Sequence, residues 1–129
     1  MALVTKATAP SIDTINGIKV PPVSALDAGE ALTALAPCYV STDGKVYQAT
    51  GAAANAAAKV RGFTPKAYGI GAAVSLFGTG CRAEYGVGMT PGADLYLGAT
   101  AGRLDTAATT GGTAPIAWAI NATEIMIQL

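Results

Sequence analysis

This sequence predicts an all-β fold, a small single-domain barrel or sandwich of short hairpins, and three observations predict it. Gly or Pro falls in nearly every gap between short β-prone runs, the punctuation of an antiparallel fold. The one stretch with strong helix propensity, residues 52–59 (AAANAAAK), is one or two turns long, leaving room for at most one short helix. Large apolar residues are scarce: Leu, Ile, Val and Phe make up 27 of 129 residues, whereas 28 are Ala. A core this lean favours burial of further surface on a partner or on copies of the same chain.

Along the chain, residues 1–24 alternate short apolar groups with Thr, Ser and Pro and include Asn16-Gly17 and Pro21-Pro22. Proline removes backbone donors and biases its predecessor towards extended geometry. This stretch reads as an extended N-terminal arm with a strand at Ile15–Val20, or as an ordinary frayed terminus. Residues 25–129 form the β-rich domain. Its clearest hairpin joins Cys38–Val40 to Lys45–Tyr47 through Asp43-Gly44, a dipeptide suited to a tight turn. Further strands are predicted at Lys66–Ile70, Ala73–Phe77, Cys81–Val87, Asp94–Leu97, Arg103–Asp105, Ile116–Ile120 and Glu124–Leu129. In the last of these, Ile125, Ile127 and Leu129 share one face and Glu124, Met126 and Gln128 the other.

The segments around Tyr39 and Tyr96 echo each other. Each runs from an apolar–Tyr–apolar strand through a polar linker to Gly, a basic residue and a β-prone apolar residue. Lys45 and Arg103 thereby fall just past two similar turns. A true pseudo-repeat and the limited vocabulary of turn chemistry both account for this.

Charge and composition exclude several function classes. Eight basic residues balance eight acidic ones, with no basic cluster of the kind that phosphate contacts require, so no nucleic-acid partner is expected. No apolar run approaches the roughly 18 residues of a membrane span, and the opening MALVTKATAP lacks the pattern of a secretory signal. Histidine is absent, which removes Ser-His and Cys-His nucleophile pairs and the commonest zinc ligand. The acids are scattered, and the closest pair, Asp27 and Glu30, reads as turn chemistry rather than a catalytic dyad. No catalytic residue, cofactor or metal is expected.

The remaining motifs read structurally. Gly69-Ile-Gly71, Gly78-Thr-Gly80 and Gly86-Val-Gly88 resemble fragments of phosphate loops, but no helix follows them, so they are expected to form turns or bulges. Asn121-Ala-Thr123 satisfies a glycosylation sequon and is expected to be the turn of the final hairpin. Cys38 and Cys81 read as small buried hydrophobes rather than a bridge. Trp118, between Ala117 and Ala119, is an anchor of either the core or an interface.

The order of these pieces resembles the small capsid decoration, or cement, proteins of tailed bacteriophages. The resemblance spans roughly residues 25–129 and rests on AGEALTALAPCYVSTDGKVYQA, AAAKVRGFTPKA, AVSLFGTGCRAEYGVGMTPGADLYLGATAGRLDTA and TTGGTAPIAWAINATEIMIQL. It includes a strand over Val60-Arg-Gly-Phe63. Its specificity lies in the order of the segments, since each segment alone is turn chemistry plus apolar residues.

The resemblance implies a structural virion protein on the outer surface of the head, made in the host cytoplasm. Its partners would be the major capsid protein and copies of itself, often as a homotrimer, and its task would be to clamp neighbouring capsomers against internal DNA pressure. The expected interface is the arm residues Leu3, Val4, Ile12 and Ile15, the turn residues Lys45 and Arg103, and Trp118. Deleting residues 1–20 is then expected to weaken shell binding without unfolding the domain. The competing readings are a head- or tail-fibre module contacting the host surface, a small enzyme, and a bacterial surface or matrix protein.

Overall fold

Antiparallel pairing organises nearly the whole chain. A computed structural model describes residues 2–12 and 23–129, and these are all-β. Six strands make the main sheet: β1 (Lys6–Ile12), β7 (Arg82–Gly86), β11 (Glu124–Ile127), β10 (Ala117–Ala119), β8 (Asp94–Leu97) and β9 (Leu104–Asp105), in that order across the sheet. A three-stranded sheet has β3 (Pro37–Val40) between β4 (Val46–Gln48) and β5 (Gly62–Phe63), and β2 (Val23–Asp27) pairs with β6 (Ala73–Leu76). The Ala-rich stretch yields only one 3₁₀ turn, Ala56–Ala58, capped by Asn55, whose side chain accepts from the Ala57 N–H at 3.0 Å. So short a segment gains too little from propagation to extend.

Period-two alternation places the core. In β8, β10 and β11 the pairs Leu95/Leu97, Ala117/Ala119 and Ile125/Ile127 turn inward, so Trp118 and Met126 face away from it. The first core cluster gathers Leu95, Ala117, Ala119, Ile125 and Ile127 with Tyr85, Ala83, Leu104, Phe63 and Cys81. A second, formed by Ala28, Leu32, Ala36, Cys38, Val46, Val74 and Leu76, lies among the small sheets. Cys38 and Cys81 belong to different clusters and are both buried free thiols, as the sequence reading expected.

The N-terminal segment departs most from expectation. Residues 2–4 run along the free side of β9: the Val4 N–H donates to the Leu104 carbonyl at 3.0 Å, and the Thr106 N–H to the Ala2 carbonyl at 3.1 Å. One step later the segment changes neighbour. The Val87 N–H donates to the Thr5 carbonyl at 3.0 Å, and β1 pairs with β7 through Lys6↔Gly86, Ser11↔Glu84 and Ile12↔Ala83. Residues 2–12 therefore hydrogen-bond β9 and β7 in turn and curl the main sheet towards closure, which protects edges that would otherwise invite aggregation. Of the extended N-terminal arm expected over residues 1–24, the described residues 2–12 pair with the domain's own strands and form its seam. The strand expected at Ile15–Val20 lies outside the described residues, as does Ile15.

Two further expectations change. Lys66–Ile70 is not a strand; only Tyr68 bridges, to Leu32, and Ile70 protrudes with 76% of its surface exposed. Leu129 lies past the end of β11 and is 45% exposed rather than sharing the burial of Ile125 and Ile127. Gly69-Ile-Gly71 and Gly78-Thr-Gly80 end in turns, as expected, and Gly86-Val-Gly88 ends β7 in a bend, with positive φ at the second glycine of each: 81° at Gly71, 97° at Gly80 and 67° at Gly88.

Candidate interaction surfaces

Four places combine exposed side chains with defined geometry, beginning at the seam. Asp105, 3% exposed, accepts through Oδ1 from the Ala2 N–H at 3.2 Å and from the Ala107 N–H at 2.9 Å. The Arg103 Nη2 donates to the Val4 carbonyl at 2.8 Å. The Lys6 Nζ donates to the Ala34 carbonyl at 2.7 Å and to Thr33 Oγ1 at 3.2 Å, and it lies 5.6 Å from the centre of the Tyr85 ring. Burial, helped by the nearby Arg103 guanidinium, lowers the Lys6 ammonium to about 8. Tyr85 is buried beneath it, and its hydroxyl accepts from the Leu104 N–H at 2.9 Å.

These contacts redistribute the expected interface residues. Val4 and Ile12 are 4% and 6% exposed and fill the chain's own core, so they are withdrawn as surface anchors. Arg103 is also withdrawn as a free turn residue, because its side chain folds back to hold the seam. Leu3 stays outside, 36% exposed, beside Val87, which is 49% exposed. Together with Thr5, Met89, Thr90 and Leu95 they line an apolar pocket of ≈ 270 Å³ at one rim of the sheet.

The third place is the β3–β4 hairpin. Its tip follows the Asp-Gly expectation, with Gly44 at φ 80° and Lys45 exposed. Asp43 accepts from the Tyr47 hydroxyl at 2.5 Å and from the Lys45 N–H at 2.9 Å, and these bonds lower the Asp43 carboxyl. Tyr47 stacks on Tyr39 with ring centres 5.9 Å apart. The β8–β9 turn repeats the device with Gly102 at φ 73° before Arg103, so the two segments share local geometry. Of the two basic residues that follow these glycines, Lys45 presents its charge to solvent and Arg103 turns its side chain to the Val4 carbonyl.

The fourth lies on the outward face of the main sheet. Cross-strand register sets Arg82, Met126, Trp118 and Asp94 in one row over four strands. Arg82 clasps Glu124 with two bonds of 3.0 and 2.7 Å. Trp118 is half-buried and, with Asp94, Pro115, Gln128 and Leu129, borders a pocket of ≈ 340 Å³. The sequence left Trp118 open between core and interface, and alternation against two buried alanines puts it on the outward side. Asp94 carried no signal of its own, because it meets Trp118 through a register between strands more than twenty residues apart, and Gln128 reaches the pocket from just past the end of β11.

Asp27 and Glu30 do not form a dyad. Asp27 ends β2, while Glu30 accepts from the Gln48 N–H at 2.8 Å. Asn121 sits in the β10–β11 turn as expected, its Oδ1 accepting from the N–H groups of Thr123 and Glu124 at 2.9 and 2.8 Å. Among the described residues no three His, Cys, Asp or Glu side chains gather as a metal site, and no helix is long and apolar enough to cross a membrane. No protein-family model matches the chain, and no curated protein matches it in sequence.

Proposed function

We propose that this chain is a decoration protein of a tailed-phage head, binding the outer surface of the shell and clamping neighbouring capsomers. The observation that carries the reading is the ordered resemblance over residues 25–129, whose segments coincide with structural units. PCYVSTDGKVYQ is the β3–β4 hairpin, Gly62-Phe63 is β5, LYLGATAGRLD is the β8–β9 hairpin, and TTGG precedes the β10–β11 hairpin. A β-rich module with an exposed apolar rim suits a part whose task is adhesion.

The mechanism is differential binding. A protein that binds the expanded shell more tightly than the compact or disrupted one shifts the equilibrium by the difference in affinity, and many copies on one shell add. Self-association, a trimer by the resemblance, would multiply the contacts of each unit. The contact residues proposed are Leu3 and Val87 at the rim and Lys45 at the hairpin tip. Leu3→Asp with Val87→Asp should reduce co-sedimentation with expanded heads at least tenfold, because each change places a charge in an apolar contact. Equal binding by the parent and this double variant would remove the rim from the mechanism.

A fibre module contacting the host surface is the second reading, and the outward pocket beside Trp118 is what favours it. Copy number in particles separates the two.

A further inference from the structure

We propose that the Trp118 pocket is a carbohydrate-binding subsite, in which a neutral pyranose ring packs on the indole while Asp94 and Gln128 bind its hydroxyls. This goes beyond the decoration reading and does not rest on it. The register Trp118↔Asp94 sets the carboxylate one strand away from the indole, and Gln128 and Leu129 close another side from the end of β11. At ≈ 340 Å³ the pocket falls at the small end of the roughly 300–1,000 Å³ typical of small-molecule sites.

The polar groups at its border have no other assignment. The Trp118 indole N–H, the Asp94 carboxylate and the Gln128 amide make no hydrogen bond among the described residues, in contrast to Glu124 and Asn121 on the neighbouring turn. The pocket thus offers an acceptor-only group, a donor-only group and an amide that does both. A sugar hydroxyl both donates and accepts, so several hydroxyls on one ring can satisfy all three. The C–H face of the same ring supplies the apolar surface that an aromatic side chain covers.

Other ligand classes fit less well. The Asp94 carboxylate repels an anion. A cation would gain from both the indole and the carboxylate but has no acceptor for the indole N–H or the Gln128 amide donors. A neutral, hydroxyl-rich ligand uses every group.

Trp118 is the only tryptophan in the chain, so its emission reports on this pocket alone. The full chain is titrated with the methyl glycosides of glucose, galactose, mannose and N-acetylglucosamine, and binding is followed in parallel by saturation-transfer NMR on the glycoside. The expected result is a saturable, millimolar-range emission change with at least one glycoside. Asp94→Ala and Gln128→Ala should each weaken it about tenfold, the scale of a lost hydrogen bond to a charged or well-placed group. Both positions are exposed, so both variants should keep the parent's circular dichroism and melting temperature. No saturable response to any of the four glycosides overturns the proposal, as does a response unchanged in both variants. A stronger response to tetramethylammonium than to any glycoside overturns it in favour of a cationic ligand. An emission change that follows protein concentration alone, with a rise in mass, overturns it in favour of a second copy of the chain.

Discussion

Thr64 shows how single polar side chains hold this lean fold together. It is fully buried, donates through Oγ1 to the Thr33 carbonyl at 2.7 Å and accepts from the Ala36 N–H at 3.0 Å. Between those two partners Leu35 adopts φ 52°, a left-handed conformation that costs a residue with a Cβ about 1 kcal/mol. Thr64→Val removes both bonds and leaves two backbone groups without partners, so a loss of about 2–4 kcal/mol is expected in chemical denaturation. Tyr85→Phe should cost about 1–3 kcal/mol by the same logic, because the Leu104 N–H would lose its acceptor inside the core.

The buried titratable groups predict a stability maximum in mild alkali. Lys6 holds its proton less tightly in the folded chain, at about 8 against 10.5 unfolded, so stability rises with pH across that window. Cys38 acts in the opposite sense: burial raises its thiol from 9.0 to about 12, so stability falls as pH climbs beyond 9.0. Burial also raises Cys81 and Tyr85, which steepens the fall. The melting temperature should therefore rise from pH 8 to about 9 and fall above it, where Cys38, Cys81 and Tyr85 together outweigh Lys6. Lys6→Met should flatten the rising side, and Cys38→Ala should weaken the falling side. A melting temperature that declines steadily from pH 7 upward would contradict these assignments.

At the scale of elements, the N-terminal segment decides whether the main sheet closes. Gly86 faces the Thr5 carbonyl so closely that a Cβ would collide with backbone rather than with a movable side chain. Gly86→Ala should push the segment off β7 and cost more than the few tenths of a kcal/mol of an ordinary surface change. Deleting residues 1–12 should do more, because it strips Val4 and Ile12 from the core, each worth about 1.5–3 kcal/mol, from a domain stable by about 5–15 kcal/mol. Loss of a cooperative melting transition is the expected outcome. A truncated chain that melts like the parent would return this segment to the status of an arm.

The strands that were legible in the sequence are those whose signal is local. The β3–β4 hairpin was readable because Asp43-Gly44 sets its turn, β8 and β11 because apolar Leu or Ile recurs at every second position, and β10 because Trp118 stands between two alanines. β1 was not readable: KATAPSI has one large apolar residue, and its strand conformation comes from partners some seventy to eighty residues away. Lys66–Ile70 failed in the opposite direction. Its Tyr and Ile are β-prone, yet only Tyr68 finds a partner, and propensity without a neighbouring strand leaves a turn. The outward pocket was half legible: Trp118 stood out by itself, while Asp94 and Gln128 gain meaning only once the sheet order is known.

For the whole molecule, the lean composition is offset by closure and by buried hydrogen bonds at the seam rather than by a large core. What remains at the surface is an apolar rim at Leu3 and Val87, a charged aromatic hairpin tip, and the Trp118 pocket. The proposed clamp uses the first two. The number of copies of this chain per major shell subunit in purified virions tests that proposal most directly. A decoration protein predicts a fixed, simple ratio to the shell subunit. A few dozen copies per particle would point instead to a fibre or tail part, and absence from particles would contradict both structural readings.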